Sequence, residues 1–209
     1  IEIFGQLQGF GLQNEPVDIS ADFADFKNTY YLADSLSSFE PLTGAGKLIY
    51  RRYEYSTRMA FNNMLATLVP VRPNEFPSNE YAAAPRLPLY IEFVSPRTVR
   101  IRMKSGPELR QETESLMLAE GKAPVDKSWK YNKITGGYKY SNEFGSVVIA
   151  VSPFRISFYD NQGKLLTQTV HISDNAGTFT PILPFSYVRR ASDYSRSFSA
   201  VFTLSPDEK

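Results

Sequence analysis

GSVVIAVSPFRISFYDNQGKLL, residues 145–166, is the stretch that decides the fold. Ser146 to Val151 is a run rich in β-branched residues, Ser152-Pro153 interrupts it, and Phe154 to Tyr159 resumes it. Asp160-Asn161-Gln162-Gly163 then turns the chain into Lys164-Leu165-Leu166. Proline holds φ at roughly −65° and keeps the residue before it extended, while a glycine such as Gly163 accepts the positive φ of a tight turn with a bulge. Three short strands separated by two turns form a β-meander. Val147, Ile149 and Val151 on one face and Val148 and Ala150 on the other make both faces apolar, so another sheet must cover at least one of them.

Immediately upstream, residues 129–144, WKYNKITGGYKYSNEF, predict a hairpin that feeds the meander. Gly136-Gly137 has the composition of a two-residue type I′ loop. That loop would set Trp129 opposite Phe144 and Tyr131 opposite Asn142, with Tyr140 diagonal to Tyr131. Trp129, Tyr131, Tyr138 and Tyr140 would then form an aromatic platform. Its alternative readings are a sugar-stacking face and an ordinary packed core.

Further out, Leu89 to Lys104 alternates with period two on both sides of a turn at Ser95-Pro96-Arg97. Leu89, Ile91, Phe93, Val99, Ile101 and Met103 make the core face of this second hairpin. Arg100, Arg102 and Lys104 make a basic stripe that reads most simply as a solvated face. Gly46 to Ser56 reads as a strand, as does Ser197 to Leu204, with shorter ones at 167–172 and 187–190. Residues 61–71 fit one helical turn or an irregular strand. Residues 71–87, with Pro73, Pro77 and Pro85, read as a long surface loop, since proline at that density supplies no ladder donors. Gly106-Pro107 followed by ELRQETESLMLAEG is the one plausible helix. In it Glu112 and Glu114 do not form a pair, because residues two apart diverge around a helix. The expected fold is all-β, a two-sheet antiparallel β-sandwich with at most one short helix. Residues 1–24, glycine-spaced, form an irregular N-terminal segment, and residues 25–209 form a single sandwich domain.

Composition narrows function mostly by exclusion. Lys plus Arg number 23 against 22 Asp plus Glu, so the net charge of +1 provides no field for nucleic acid or an acidic membrane. No apolar run reaches the roughly 18 residues of a membrane-spanning helix. The absence of cysteine excludes thiolate catalysis and thiolate metal sites. His171 is the one histidine, and with no cysteine beside it the chain lacks the ligands of a zinc site. No Gly-x-Ser-x-Gly elbow accompanies it for a serine triad. Asp160-Asn161-Gln162-Gly163 lacks the spaced acids of a calcium loop, no glycine-rich phosphate loop is present, and nothing selects a carboxylate pair for glycoside chemistry. The residues themselves thus assign no catalytic group, no metal and no cofactor.

Several segments, in order, resemble the N-terminal β-sandwich of glycoside hydrolase family 31, the α-glucosidase and α-xylosidase family, whose N-domain is galactose-mutarotase-like. They are Phe93-Val94-Ser95-Pro96-Arg97-Thr98-Val99-Arg100-Ile101-Arg102, Glu114 to Leu118, Val147 to Leu166 with Ser152-Pro153-Phe154-Arg155, and Phe202 to Glu208. The likeness covers roughly residues 25–209. It implies a super-sandwich fold and a parent enzyme that is a retaining α-glycosidase. In that family an aspartate nucleophile and an aspartate acid/base sit in a (β/α)8 barrel that follows the sandwich, and none of those positions exists in this chain. The family's loop over the sugar pocket also falls downstream, so no substrate residue is carried over. The mutarotase likeness is one of fold, because that chemistry needs partners a chain with a single histidine lacks.

The expectation is therefore a non-catalytic domain cut from a larger enzyme. Its partners would be the parent's downstream barrel and carbohydrate substrate, with no nucleic acid, no membrane, and self-association of the isolated fragment at high concentration. Export from a bacterial cell, to the periplasm or beyond, is the placement favoured by the resemblance together with the Ile1 start. The competing expectations are a free-standing carbohydrate-binding module that uses Trp129, Tyr131, Tyr138 and Tyr140, and an adhesin-type sandwich with protein partners.

Overall fold

The computed structural model describes residues 28–60, 63–70, 84–104, 124–171, 185–190 and 196–203. Among the described residues the chain forms strands and no helix: β1 (Thr29–Glu40), β2 (Ala45–Ala60), β3 (Asn63–Pro70), β4 (Arg86–Ser95), β5 (Thr98–Met103), β6 (Lys130–Ile134), β7 (Gly137–Ser141), β8 (Gly145–Ala150), β9 (Arg155–Asp160), β10 (Leu165–Gln168), β11 (Ser186–Arg189) and β12 (Arg196–Ser199). One sheet has the order β12-β11-β1-β2-β4-β5, with β3 also on β2, and the other β10-β9-β8-β7-β6. The expected all-β architecture of two antiparallel sheets is the one found.

Beside β1, β2 is long enough to hold two further partners, β4 along Ala45–Ile49 and β3 along Tyr53–Ala60. Residues 63–70, read from sequence as a helical turn or an irregular strand, are thus a regular strand, paired residue for residue with β2. β4 starts at Arg86, within the span expected for the proline-rich loop, whose residues 71–83 lie outside the described residues. The segment 1–24, the helix after Pro107 and the turn at 174–177 lie outside the described residues.

The chain resolves into two compact units, each assembled from sequence-distant pieces. The first holds Ile1–Ala33, Tyr50–Pro85 and Thr169–Phe202. In it Thr29–Leu32 of β1 pair with β11, which pairs with β12. Tyr30, Tyr31, Leu32 and Ala33 are buried in succession, which requires cover on both faces of the strand. The Tyr187 ring stacks on Tyr31 at 4.6 Å and meets the edge of Tyr50 at 5.2 Å. Burial raises the Tyr50 and Tyr187 hydroxyls well above the usual phenol range. His171 is buried beside Val170, whose amide donates to Val201 O.

The second unit, Asp34–Ile49, Arg86–Gln168 and Thr203–Lys209, contains the whole meander. β8 and β9 register as Val147↔Phe158 and Ile149↔Ile156, and a bulge between Leu165 and Thr167 interrupts the β9–β10 ladder. Gly163 has φ +82°, and the Asp160 carboxylate accepts the amides of Gln162 and Lys164, which fixes the turn. Ile149 and Ile156 are fully buried, as are Leu48 and Leu89, and Val147 and Ile91 nearly so; together they form this unit's core. β1 meets the meander at its first turn, and β1 and β4 pack aromatic rings on β7 beside it. The Leu36 amide donates to Val151 O, the Phe154 amide donates to Asp34 O, and the Phe39 and Phe93 rings lie against aromatics of β7.

Candidate functional site

The β6–β7 hairpin carries all four aromatic residues singled out from sequence. Its register differs from the expected one. Ile134 pairs with Gly137, so the two-residue loop is Thr135-Gly136 and Gly137 belongs to β7. Gly136 takes φ +77° in open space, and its carbonyl accepts the Val151 amide at 2.9 Å. Gly137 is glycine for a different reason: a β-carbon there would overlap the carbonyl oxygen of Ile149 on β8. Close backbone approach, which only glycine permits, pulls Gly137 into the sheet and shifts the pairing. Tyr131 consequently lies directly across from Tyr140, and Lys130 across from Ser141.

Residues directly opposite share a face, so Tyr131 and Tyr140 lie on the same side of the sheet as Lys133 and Tyr138. That side is the inner one. Tyr140 is only 3% exposed, its ring 4.5 Å from Phe93 and its hydroxyl donating to Pro41 O at 2.7 Å. Burial, with smaller contributions from Tyr131, Tyr138 and Glu40, raises its hydroxyl above the ordinary range. Tyr138 is half-buried against Phe39 at 5.0 Å. Trp129 is half-buried against Phe93 at 4.8 Å, and its indole N–H donates to Ser95 O at 3.0 Å. Tyr131 keeps 41% of its surface, at 6.0 Å from Tyr140. Of the two readings left open by the sequence, a sugar-stacking face and a packed core, the rings of Trp129, Tyr138 and Tyr140 take up core packing, and the open end of the cluster is Tyr131.

A polar knot that the sequence reading missed anchors this end. The Asn142 side-chain amide donates to Pro96 O at 2.7 Å, and its Oδ1 accepts the Phe144 and Gly145 amides. Asp126 Oδ1 accepts the Ser128 amide and hydroxyl, and the Asp126 amide donates to Phe93 O. The Arg97 guanidinium lies 4.2 Å above the Phe144 ring. Asn142 stands between a strand and a glycine, a turn position open to asparagine, yet its partner Pro96 is 46 residues away and nothing local names it. Two residues of the basic stripe of β5, Arg100 and Arg102, share one carboxylate across the strand pair. Arg102 grips Glu92 with Nε at 2.9 Å and Nη2 at 2.7 Å, and Arg100 Nε reaches the same carboxylate at 3.2 Å. Among the described residues no group of three His, Asp or Glu side chains is placed to hold a metal.

A family model for the N-terminal galactose mutarotase-like domain of glycosyl hydrolase 31 matches residues 88–209, from β4 through the hairpin and the meander to the C-terminus. The chain belongs to that family. Among curated proteins none matches this glycosyl hydrolase 31 N-terminal domain significantly in sequence. Solved structures similar to it include the cycloalternan-forming enzyme from Listeria monocytogenes bound to a pentasaccharide substrate, at 13% identity and a TM-score of 0.42 over 77% of this chain and 11% of that one. A glycoside hydrolase family 31 dextranase from Flavobacterium johnsoniae bound to isomaltotriose gives 13% identity and a TM-score of 0.39 over 68% of this chain and 13% of the dextranase. The chain therefore spans about a ninth to an eighth of the length of these structures, and the family assignment rests on the sequence match.

Proposed function

We propose that this chain is the non-catalytic N-terminal sandwich of a retaining α-glycosidase of the α-glucosidase or α-xylosidase type, packing on a downstream (β/α)8 barrel that carries the chemistry. The observation that carries this reading is the family match over residues 88–209. The inward-facing aromatic cluster accords with it, since Tyr140 and Trp129 spend their rings on Phe93 and their polar atoms on backbone carbonyls. The test is turnover of p-nitrophenyl α-glucoside and α-xyloside. The isolated chain is expected to show no rate above buffer, and hydrolysis by it would overturn the proposal. The protein that contains it is expected to hydrolyse an α-glycoside with retention of anomeric configuration, read by proton NMR. Leu42 and Val125, 79% and 82% exposed, add apolar surface to the isolated chain, so it is expected to self-associate at high concentration. A clean monomer by light scattering at millimolar protein would contradict that.

A second reading is a sugar contact at the hairpin, and what favours it is the exposed Tyr131 ring at the mouth of the Trp129, Tyr138 and Tyr140 cluster. Tyr131→Ala is its clean test, because Trp129→Ala would also remove packing on Phe93. Loss of glycan binding at unchanged stability supports the contact, and unaltered binding removes Tyr131 from it.

A further inference from the structure

We propose that the β6 edge of the five-stranded sheet is a binding site for an acidic glycan, one that carries uronate carboxylates. The inference rests on the second reading above and names its ligand class. β6 is the terminal strand of its sheet and is exposed at every residue, so it can present peptide groups along one side. Trp129, Tyr131 and Lys133 follow one another on the inner face at steps of roughly 6.6 Å along the strand, a half-open ring, an open ring and an ammonium group in one row. Aromatic rings stack on the apolar faces of sugars, and an ammonium beside them donates to the hydroxyls of any glycan but gains a charge-assisted partner only from a carboxylate.

Around the hairpin four lysines stand against the three carboxylates of Asp126, Glu40 and Glu143. Lys127, Lys130, Lys133 and Lys139 are all exposed on or beside the hairpin. Of the carboxylates nearby, Asp126 is occupied by Ser128, and Glu40, the acid that bears on Tyr140, accepts the Leu42 amide at 3.3 Å. Glu143 lies past the end of β7. Among the described residues no ion pair engages any of the four lysines, in contrast to β5, where Glu92 holds both Arg100 and Arg102. Lysine at a sheet edge also blocks edge-to-edge pairing, but that role asks nothing about which face the lysine occupies. Lys133 occupies the aromatic one, directly across from Tyr138.

The experiment is calorimetric titration of the chain with an α-1,4-linked hexagalacturonate and with maltohexaose, at 50 and 300 mM NaCl. Hexagalacturonate is expected to bind about tenfold more tightly at the lower salt, with the preference collapsing at the higher, as for solvent-exposed charge pairs. Lys133→Gln should weaken hexagalacturonate roughly three- to fivefold and leave maltohexaose unaffected, Lys133→Arg should restore binding, and Tyr131→Ala should weaken both sugars. Equal affinity for the two hexasaccharides, insensitive to salt and to Lys133→Gln, overturns the acidic-glycan site and leaves the sugar contact standing. No binding of either overturns both. Hexagalacturonate binding that survives Lys133→Gln and Tyr131→Ala alike overturns the site as a diffuse charge effect.

Discussion

Asparagine placed at Gly136 and at Gly137 in turn puts the hairpin register to a quantitative test. Gly136 sits in the left-handed region with nothing near its would-be β-carbon, and asparagine enters that region more easily than any other non-glycine residue. Gly136→Asn is therefore expected to cost no more than about 1 kcal/mol, the low end of the cost of left-handed backbone for a residue with a β-carbon. Gly137→Asn has the same chemistry one residue on, but its β-carbon would overlap Ile149 O and come within 3.2 Å of the Ala150 α-carbon, both backbone atoms of β8. Backbone cannot rotate away as a side chain can, so β7 and β8 must separate, at a cost of about 1–3 kcal/mol or more. For a chain of this size that is a fall in Tm of about 2–12 °C. Urea unfolding followed by far-ultraviolet circular dichroism separates the two through the midpoint at constant slope. Had the loop been Gly136-Gly137, both positions would require positive φ and both would accept asparagine. Equal and small losses for the two variants would thus refute the register that places Tyr131 across from Tyr140.

Further outcomes follow from the packing and the charges. Ile149→Ala, at a fully buried position in the middle of the meander, should cost about 2–5 kcal/mol, and a loss under about 1 kcal/mol would mean that the site is far less closed than it is here. Glu92→Gln removes the carboxylate shared by Arg100 and Arg102. With the paired side chains about a quarter exposed, the expected loss is about 1 kcal/mol in low salt, and the wild-type advantage should shrink in 0.5 M NaCl. The buried hydroxyls of Tyr50, Tyr140 and Tyr187 have folded pKa values raised by burial, so the folded state holds protons that the unfolded state releases first. Their contribution is complete below the unfolded phenol pKa of about 10 and is lost as pH rises past it. Urea midpoints should be flat with respect to these groups up to about pH 10 and fall beyond it. Tyrosinate absorbance of the folded chain should lag behind that of the urea-unfolded chain, and superimposable titrations would contradict the burial.

What the sequence disclosed and what it hid follow physical lines. The meander and the β4–β5 hairpin were legible because strict alternation, Ser152-Pro153 and Gly163 are local signals, and local pairing satisfies them. β1 was not recognised as a strand. Tyr30, Tyr31, Leu32 and Ala33 are buried consecutively, so the period-two pattern that marks a half-buried strand is missing. The hairpin loop lies one residue earlier than expected, which moves each cross-strand partner by two, because two adjacent glycines look alike in sequence. One is glycine for its φ and the other for its contact with β8, and only the partner strand distinguishes them. For the candidate site, the hairpin itself was legible, but whether its aromatic residues face inward depends on Phe39 and Phe93, which come from elsewhere in the chain. The ties from Asn142 to Pro96 and from Trp129 to Ser95 span 46 and 34 residues, and no local spacing encodes them.

The pairing of β1 with β11 bears on how the protein is made. Thr29 lies across from Arg189, and 189 minus 29 is a separation of 160 positions along the chain. At a synthesis rate of about 5–20 residues per second, roughly 8–32 s pass between the emergence of the first strand and that of its neighbour. The meander needs no such interval, because its three strands leave the ribosome together and meet across short turns. Until Ser186–Arg189 arrive, the row Thr29–Leu32 is an apolar edge with its amides and carbonyls unpaired on that side, the kind of surface that chaperones hold and that aggregation exploits. Late closure of a long loop also predicts slow refolding in vitro for a protein with no cysteine to misoxidise. Production of the chain should therefore respond more to translation rate and holdase supply than its final packing would suggest.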